Sequence, residues 1–516
     1  MPRSRSRFRS RSRIRVRAVV AGVCVLAFAG LGLAPESAAP SPAGIRWGAC
    51  PERPVPAGMR CGTVEVPLDY AAPAKGKVTV ALARIPATGP GKRLGSLLLN
   101  YGGPGAAGIA SLAADPTLFA DLGERYDLVA FDPRGVGHSE PVSCGGSQET
   151  ETGDGAGIGA AAQLAALRAV ARRCELASGP VLPYVGTVHV ARDMDVIRQA
   201  LGDRKLNYLG FSYGTRVGAV YAAQFPDKTG RMVLDGVDTL TEPLAEQALV
   251  TARGQQRALD NFLSWCAHRK NGCVYGTNTR TAREKVDELV TRLDARPLIG
   301  DDGSYVTGQD AVLAIGSALY AKSMWPGLAD ALALAERHHD PVGLLQLGGP
   351  VGRPDETQAD AGPGTVPTDN GEAALAAVTC ADDPDRSHEN ASPAAIVKEL
   401  EGLKGEFLKA SRIFGPRQLA TVLACYGRPA GTDFIRKIDH PAGVPRMMLV
   451  GTRGDPATPY EWTEETAERL GSAVVVDYKG DGHTGYGSSP CVREYVDGFL
   501  IDGRLPAGTR SCPAGE

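Results

Sequence analysis

Leu206-Asn207-Tyr208-Leu209-Gly210-Phe211-Ser212-Tyr213-Gly214-Thr215 is the stretch whose reading decides the fold. An apolar run ends in Gly210-Phe211-Ser212-Tyr213-Gly214, and a helix-like segment through Phe225 follows. This is the sequence form of a nucleophile elbow, in which a strand, a tight turn carrying a serine and a helix follow one another. Glycines flank the serine because side chains there would collide with the neighbouring strand and helix. The Ser212 hydroxyl would stand at the carboxyl end of a sheet, over a helix N-terminus that favours developing negative charge. A five-residue pattern arises by chance in any chain rich in Gly and Ser. Its meaning rests on whether an acid, a base and oxyanion donors arrive elsewhere.

Outward from the elbow, strand and helix patterns alternate. Gly62–Tyr70 and Lys77–Ile85 alternate apolar and polar residues and predict two strands of a half-exposed hairpin region. Leu94–Asn100 predicts a short buried strand running into Tyr101-Gly102-Gly103-Pro104-Gly105, a turn whose backbone N–H groups can face a carbonyl oxygen. Tyr126–Phe131 predicts another, ending in Asp132-Pro133-Arg134-Gly135-Val136-Gly137-His138-Ser139. That turn reads as structural, with Asp132 and Arg134 bracing neighbouring loops, in preference to a direct catalytic part for His138. A helix over Val190–Leu201, stopped by Gly202, and a strand over Arg231–Val237 complete an α/β pattern with a mostly parallel sheet.

From about Thr239 to His440 the pattern changes to helical periodicity, over Leu244–His268, Thr281–Leu293, Gln309–Ala321, Pro326–His338, Ala394–Leu403 and Arg417–Tyr426. Gly348–Gly371 within it reads as a Gly/Pro/Asp-rich loop. A helical insertion between strands of such a sheet is expected to cover the active site as a lid. The sheet pattern resumes at Pro445–Gly451, followed by Thr452-Arg453-Gly454-Asp455-Pro456-Ala457-Thr458-Pro459. A helix over Tyr460–Leu470, a strand over Ala473–Tyr478, the turn Gly480-Asp481-Gly482-His483-Thr484-Gly485 and a helix over Val492–Leu500 close the chain.

The N-terminus reads as an export signal. Arg3–Arg17 alternates arginine with serine and other residues, Ala18–Ala34 is almost wholly apolar, and Pro35-Glu36-Ser37-Ala38-Ala39 is a small-residue exit. The domain plan is therefore a signal over 1–38, a first core part over 39–238, the lid over 239–440 and a C-terminal core part over 441–516. Loss of residues 1–38 removes eight arginines and one glutamate, leaving 48 bases against 57 acids and a net charge near −9. That balance argues against nucleic acid as a partner. Without Cys24, ten of the 11 cysteines remain, an even number in an exported chain. They fall in sequence-local couples, which predict the disulfides Cys50–Cys61, Cys144–Cys174, Cys266–Cys273, Cys380–Cys425 and Cys491–Cys512, although spacing alone does not fix connectivity. No C-x-x-C or His-rich cluster points to a metal, and no cofactor is expected.

A serine hydroxyl is a poor nucleophile until a base takes its proton, and the base needs an acid to hold one tautomer. Ser212, Asp455 and His483 occur in the chain order of the α/β-hydrolase triad, each just past the carboxyl end of a predicted strand. His483 alone among the histidines sits on a glycine-flanked turn after the last predicted strand. Asp455 competes with Asp481 and with Asp235, which ends the strand after the elbow; the Gly-Asp-Pro-x-Thr-Pro turn favours Asp455. The backbone N–H groups of Tyr213 and Gly103 are the candidate oxyanion hole. A neutral His483 acting as base predicts activity that falls on acidification through a pKa near or below that of free histidine.

Together these residues resemble the secreted tripeptidyl aminopeptidase family of α/β hydrolases, relatives of the prolyl aminopeptidases. The resemblance is carried by Trp47-x-x-Cys50, Val66-Pro67-Leu68-Asp69-Tyr70, Gly102-Gly103-Pro104-Gly105, Asp132-Pro133-Arg134-Gly135 and Gly210-x-Ser212-Tyr213-Gly214-Thr215. It continues through Leu234-Asp235-Gly236-Val237, Cys380-Ala381-Asp382, Gly451-Thr452-x-x-Asp455-x-x-Thr458-Pro459 and Gly482-His483. Asn100-Tyr101 departs from the pattern, because relatives often carry Asn-Pro or a histidine before the glycine turn; this touches the acyl pocket and leaves the donors in place. The resemblance implies an α/β-hydrolase fold with an eight-stranded, mostly parallel sheet. It also implies a secreted, monomeric serine exopeptidase, with no membrane anchor after signal cleavage, that releases tripeptides or similar from free N-termini. An exopeptidase needs a carboxylate for the substrate ammonium, and Asp382, Asp238 and Glu242 are the candidates. The competing expectations are an esterase, lactonase or amide hydrolase of secondary metabolism on the same triad, and a non-catalytic binding protein on a hydrolase scaffold.

Overall fold

The computed structural model describes residues 44–515 except 52–53, 147–159, 271, 349–364, 386–390, 427–430 and 437. The predicted signal over 1–38 and most of the predicted loop Gly348–Gly371 lie outside the described residues. The strands are β1 (Arg60–Pro67), β2 (Lys77–Ile85), β3 (Ser96–Asn100), β4 (Asp127–Phe131), β5 (Leu206–Phe211) and β6 (Thr229–Asp235). They continue with β7 (Leu298–Ile299), β8 (Tyr305–Val306), β9 (Met447–Gly454), β10 (Ala473–Asp481) and β11 (Arg510–Cys512). Nine of them form one sheet in the order β1-β2-β4-β3-β5-β6-β9-β10-β11. The β1–β2 and β2–β4 pairs are antiparallel and the rest are parallel.

Among the described residues the sheet has nine strands where eight were expected. The extra one is β11, a three-residue edge strand of sequence Arg-Ser-Cys paired with Val476–Tyr478 of β10. Three mostly polar residues carry neither alternation nor an apolar run, and the Cys491–Cys512 disulfide helps to hold them in place. The hairpin β7–β8, two residues a side inside the helical insertion, is too short to leave a pattern for the same reason. The expected hairpin is real, but β2 also pairs with β4, so it forms the edge of the main sheet.

Side-chain alternation builds both faces of the sheet from the same strands. Leu98, Val129, Tyr208, Leu234 and Leu449 point into one buried cluster. Their neighbours Leu97, Leu99, Ala130, Leu209, Val233 and Val450 point into the other. Strands buried on both faces read as continuous apolar runs, the form seen in β3, β4 and β5. At roughly 25 cal/mol per Å² of apolar area buried, these two layers are the main stabilising term of the core.

Between β6 and β9 the chain leaves the sheet for eight helices among the described residues. They are Leu244–Ala267, Thr279–Ala295, Gly308–Leu319, Trp325–His338, Val342–Gly348, Asn370–Asp382, Pro393–Ala410 and Phe414–Tyr426. Part of the insertion has its own core, centred on Phe262, Val286, Ile315, Trp325, Leu328 and Leu332. Two of these helices, and Ala160–Ser178 before the elbow, were not expected from periodicity. Asn370–Asp382 is rich in alanine and buries Ala373, Ala374, Ala377, Val378, Cys380 and Ala381. With small apolar residues on most sides it shows little contrast between faces. All five cysteine couples stand as disulfides: Cys50–Cys61, Cys144–Cys174, Cys266–Cys273, Cys380–Cys425 and Cys491–Cys512. Among the described residues no helix is long and apolar enough to cross a membrane.

Candidate active site

The elbow is a strained turn held by its neighbours. Ser212 has φ 55° and ψ −130°, a backbone conformation that non-glycine residues rarely adopt. Its N–H donates to the Asp235 carbonyl at 2.9 Å, and its carbonyl accepts from Thr215 N–H at 2.8 Å and Thr215 Oγ1 at 2.6 Å. The flanking glycines are steric requirements, since a Cβ on Gly210 would lie 2.7 Å from the Gly214 carbonyl oxygen and one on Gly214 2.8 Å from that of Asn100.

Asp455 and His483 meet across the ends of β9 and β10. His483 Nδ1 lies 2.9 Å from both carboxylate oxygens of Asp455, which is fully buried. The carboxylate also accepts from the N–H groups of Ala457 (2.8 Å), Thr458 (2.9 Å) and Thr484 (3.3 Å) and from Thr458 Oγ1 (3.0 Å). A carboxylate can only accept, so Nδ1 carries a proton and Nε2 of the neutral ring is left free as a base. The ring is placed from the other side by Tyr320, whose carbonyl accepts His483 N–H at 2.7 Å and whose ring stands edge-on at 5.1 Å. Burial opposes the charged imidazolium. The charge and hydrogen bond of Asp455, with Asp235 and Asp238 behind, outweigh it and raise His483 above the ordinary histidine value. This corrects the expectation of a pKa near or below that of free histidine. Ser212 Oγ is not among the hydrogen-bond partners of His483 in the described residues; catalytic contacts of this kind often close only with substrate bound.

Asp235, the rival acid, has another task. Its carboxylate accepts N–H groups from Gly485 (2.8 and 3.1 Å) and Tyr486 (2.7 Å), just past His483, while its carbonyl takes the Ser212 N–H. One residue therefore ties the elbow to the histidine loop. Burial pushes its carboxyl up to about 6. Asp481, the other rival, accepts from Asn261 Nδ2 at 2.8 Å and lies 3.9 Å from Lys322 Nζ. The turn after β4 is a brace: Arg134, fully buried, makes two hydrogen bonds to Asp193 at 2.7 and 2.6 Å and reaches the carbonyls of Leu68 and Pro67.

The candidate oxyanion donors belong to two turns that pack together. A Cβ on Gly102 would stand 2.4 Å from the Phe211 carbonyl oxygen, 3.0 Å from Ser212 Cβ and 3.1 Å from Tyr213 N. That is how closely the glycine turn lies over the elbow. Tyr213 opens the helix Tyr213–Gln224, so its N–H has no partner within that helix. Neither it nor the Gly103 N–H has an acceptor among the described residues.

The three ammonium candidates separate. Glu242 is ion-paired with Arg469 and accepts from Thr241 N–H, and Asp382 is buried and hydrogen-bonded to Thr187. Asp238 accepts from Arg216 Nη2 at 3.1 Å and Thr239 N–H at 2.8 Å, and its charge acts on His483. Two contributors escaped the sequence reading. Thr458 bonds Asp455 and lies 3.4 Å from His483 Nδ1, and the Thr-Pro of its turn was its only trace. Tyr320 reaches the site from the insertion, where no spacing relates it to the triad.

Residues 95–333 match the model of the alpha/beta hydrolase fold, and residues 411–512 match that of the TAP-like protein family. Serine protease Hip1 of Mycobacterium tuberculosis is 33% identical over 493 residues, covering 91% of each chain. Tripeptidyl aminopeptidase of Streptomyces lividans is 30% identical over 499 residues, 93% of this chain and 89% of that protein. Carboxylesterase B of M. tuberculosis is 33% identical over 469 residues, 88% of this chain and 86% of that one.

Proposed function

The chain belongs to the tripeptidyl aminopeptidase family of α/β hydrolases and is a serine hydrolase, and from that premise we propose that it is an exported exopeptidase releasing tripeptides or similar from free N-termini. The observation that carries the mechanism is His483 Nδ1 set 2.9 Å from both oxygens of a buried Asp455, beside the elbow of Ser212. Ser212 Oγ attacks the peptide carbonyl while His483 Nε2 takes its proton. The N–H groups of Tyr213 and Gly103 hold the oxyanion, worth on the order of a hundredfold in rate per donor. His483 returns the proton to the leaving amine, and water, activated by the same ring, hydrolyses the acyl-enzyme. The helical insertion between β6 and β9 acts as the lid. Under it Asp238, ion-paired with Arg216 as Glu242 is with Arg469, is the carboxylate assigned to the substrate ammonium, because its charge is the one of the three that reaches His483. Five disulfides fit an oxidising compartment, and the enzyme works there as a monomer on peptides, without nucleic acid or a membrane anchor.

A second reading keeps the triad and changes the substrate to an ester, and the likeness to a carboxylesterase favours it as much by identity as Hip1 favours a peptidase. Tripeptidyl arylamides with free and blocked N-termini, assayed beside short acyl esters, decide between them. Cleavage confined to free N-termini supports the exopeptidase. Ester turnover without arylamide cleavage refutes it. A fluorophosphonate probe should label the wild type and not Ser212→Ala.

A further inference from the structure

The helix Asn370–Asp382 is fastened to the core at both ends, and both fastenings lie beside the oxyanion hole. At its start, Asn370 Oδ1 accepts Gly137 N–H at 2.9 Å, and Asn370 Nδ2 donates to the carbonyls of Gly135 (2.9 Å) and Val142 (2.8 Å). Asp369, one residue earlier, accepts from Ser143 Oγ at 2.8 Å and Cys144 N–H at 2.7 Å. This end packs on the glycine turn, where a Cβ on Gly105 would be 2.7 Å from the Gly371 carbonyl oxygen and 3.1 Å from Leu375 N.

At the other end Asp382, 3% exposed, accepts Thr187 N–H at 2.7 Å and Thr187 Oγ1–H at 2.5 Å. Thr187 has one hydroxyl proton, and Asp382 takes it. The 2.6 Å contact between Thr187 Oγ1 and Tyr213 OH is therefore donated by the tyrosine. A chain of hydrogen bonds runs from Tyr213 O–H to Thr187 O–H to the Asp382 carboxylate. Gly186 leaves room for it, since a Cβ there would lie 2.9 Å from Asp382 Oδ1. The carboxylate also faces the N-terminus of the helix Thr187–Ala200, where negative charge is favoured. The Cys380–Cys425 disulfide, two residues from Asp382, ties the strut to the neighbouring helix Phe414–Tyr426.

Tyr213 is thus fixed twice. Its side chain is tied to Asp382, and its backbone N–H is one oxyanion donor in the function proposed above. We infer that Asp382, acting through Thr187 and the Tyr213 hydroxyl, is a positioning residue of the oxyanion hole, and that the helix Asn370–Asp382 is a strut holding both donors, Gly103 and Tyr213, in register. The assignment replaces the ammonium role expected for Asp382, and it rests on the proposed use of the Tyr213 N–H.

Loss of an oxyanion donor costs about a hundredfold or more in kcat, and loosening one costs part of that. Tyr213→Phe and Thr187→Val should each lower kcat on a cleaved arylamide or ester by about tenfold or more. KM should stay within about twofold, because the ground-state carbonyl leans little on the hole. Inhibition by a peptide aldehyde, whose hemiacetal oxygen occupies the hole, should weaken by the same factor. Thr187→Ser, which keeps the hydroxyl, should recover most of the loss. Tyr213→Phe leaves Thr187 bonded to Asp382 and so tests the chain even if Asp382→Asn fails to fold. A Tyr213→Phe enzyme with wild-type kcat and aldehyde affinity, or one changed only in KM, overturns the inference. A wild type that fluorophosphonate does not label refutes the proposed function instead, so the two failures are distinguishable.

Discussion

Replacing Gly102 by alanine tests the site through one atom. Gly102 has φ +82°, and a Cβ there would stand 2.4 Å from the Phe211 carbonyl oxygen and 3.1 Å from Tyr213 N. Ordinary non-bonded contacts lie near 3.5 Å, so the turn must retreat from the elbow by about 1 Å. A displacement of that size at a reacting centre costs about a hundredfold in rate, or about 2.7 kcal/mol of transition-state stabilisation. Positive φ adds a backbone cost of about 1–2 kcal/mol to the folded state. The two effects separate against Gly58→Ala, where φ is +80° but nothing lies within 4 Å of the new Cβ. In a denaturant titration Gly58→Ala should lose only the backbone cost, and Gly102→Ala that cost plus about 1–3 kcal/mol for the clash. Only Gly102→Ala should lose kcat/KM, by about a hundredfold. A folded Gly102→Ala retaining activity within a few-fold of wild type would refute the placement of the glycine turn at the oxyanion.

The remaining predictions concern the groups around the triad. A raised His483 pKa puts the acid limb of kcat/KM above the ordinary histidine value of 6.5, with activity lost as pH falls through it; a limb at or below that value means that burial outweighs the carboxylates around the ring. The same shift acts oppositely on stability: the ion pair contributes fully below the unfolded histidine pKa, and that contribution is lost as pH rises through the folded value. Asp235→Asn leaves a single acceptor oxygen for N–H groups that now use both oxygens, and should cost about 1–3 kcal/mol by chemical denaturation together with a fall in kcat. Arg134→Met strands the buried Asp193 carboxylate without its partner and should destabilise by about 3–5 kcal/mol, with the residual folded fraction still labelled by fluorophosphonate.

The central strands were legible because two-sided burial writes itself as short apolar runs, and β2 falls on Lys77–Ile85 as alternation predicts. The proposed triad members stand out in the sequence because their chemistry needs local company: glycines around Ser212, a Gly-Asp-Pro turn for Asp455 and a glycine turn for His483. What was not legible lacked either local contrast or local partners. The helix Asn370–Asp382 is rich in alanine, and β11 is three residues long. Asp382 is the instructive case. An acid beside a cysteine under a lid suggested a cation site, but the structure spends both of its oxygens on Thr187, 195 residues away in the chain.

The sequence by itself determined the α/β layering, the order Ser212, Asp455, His483 and the residues able to take each role, because periodicity and turn chemistry act over a few neighbours. It left Asp235 and Asp455 both open as the acid. Only the tertiary structure separates their contacts, by laying β6 beside β9 and β9 beside β10 so that Asp455 meets His483 Nδ1 while Asp235 meets the backbone beyond it. It alone also raised the His483 pKa, by gathering three carboxylates around one buried ring. Hydrogen bonds and fields act through space between segments hundreds of residues apart, and spacing along the chain does not encode those distances.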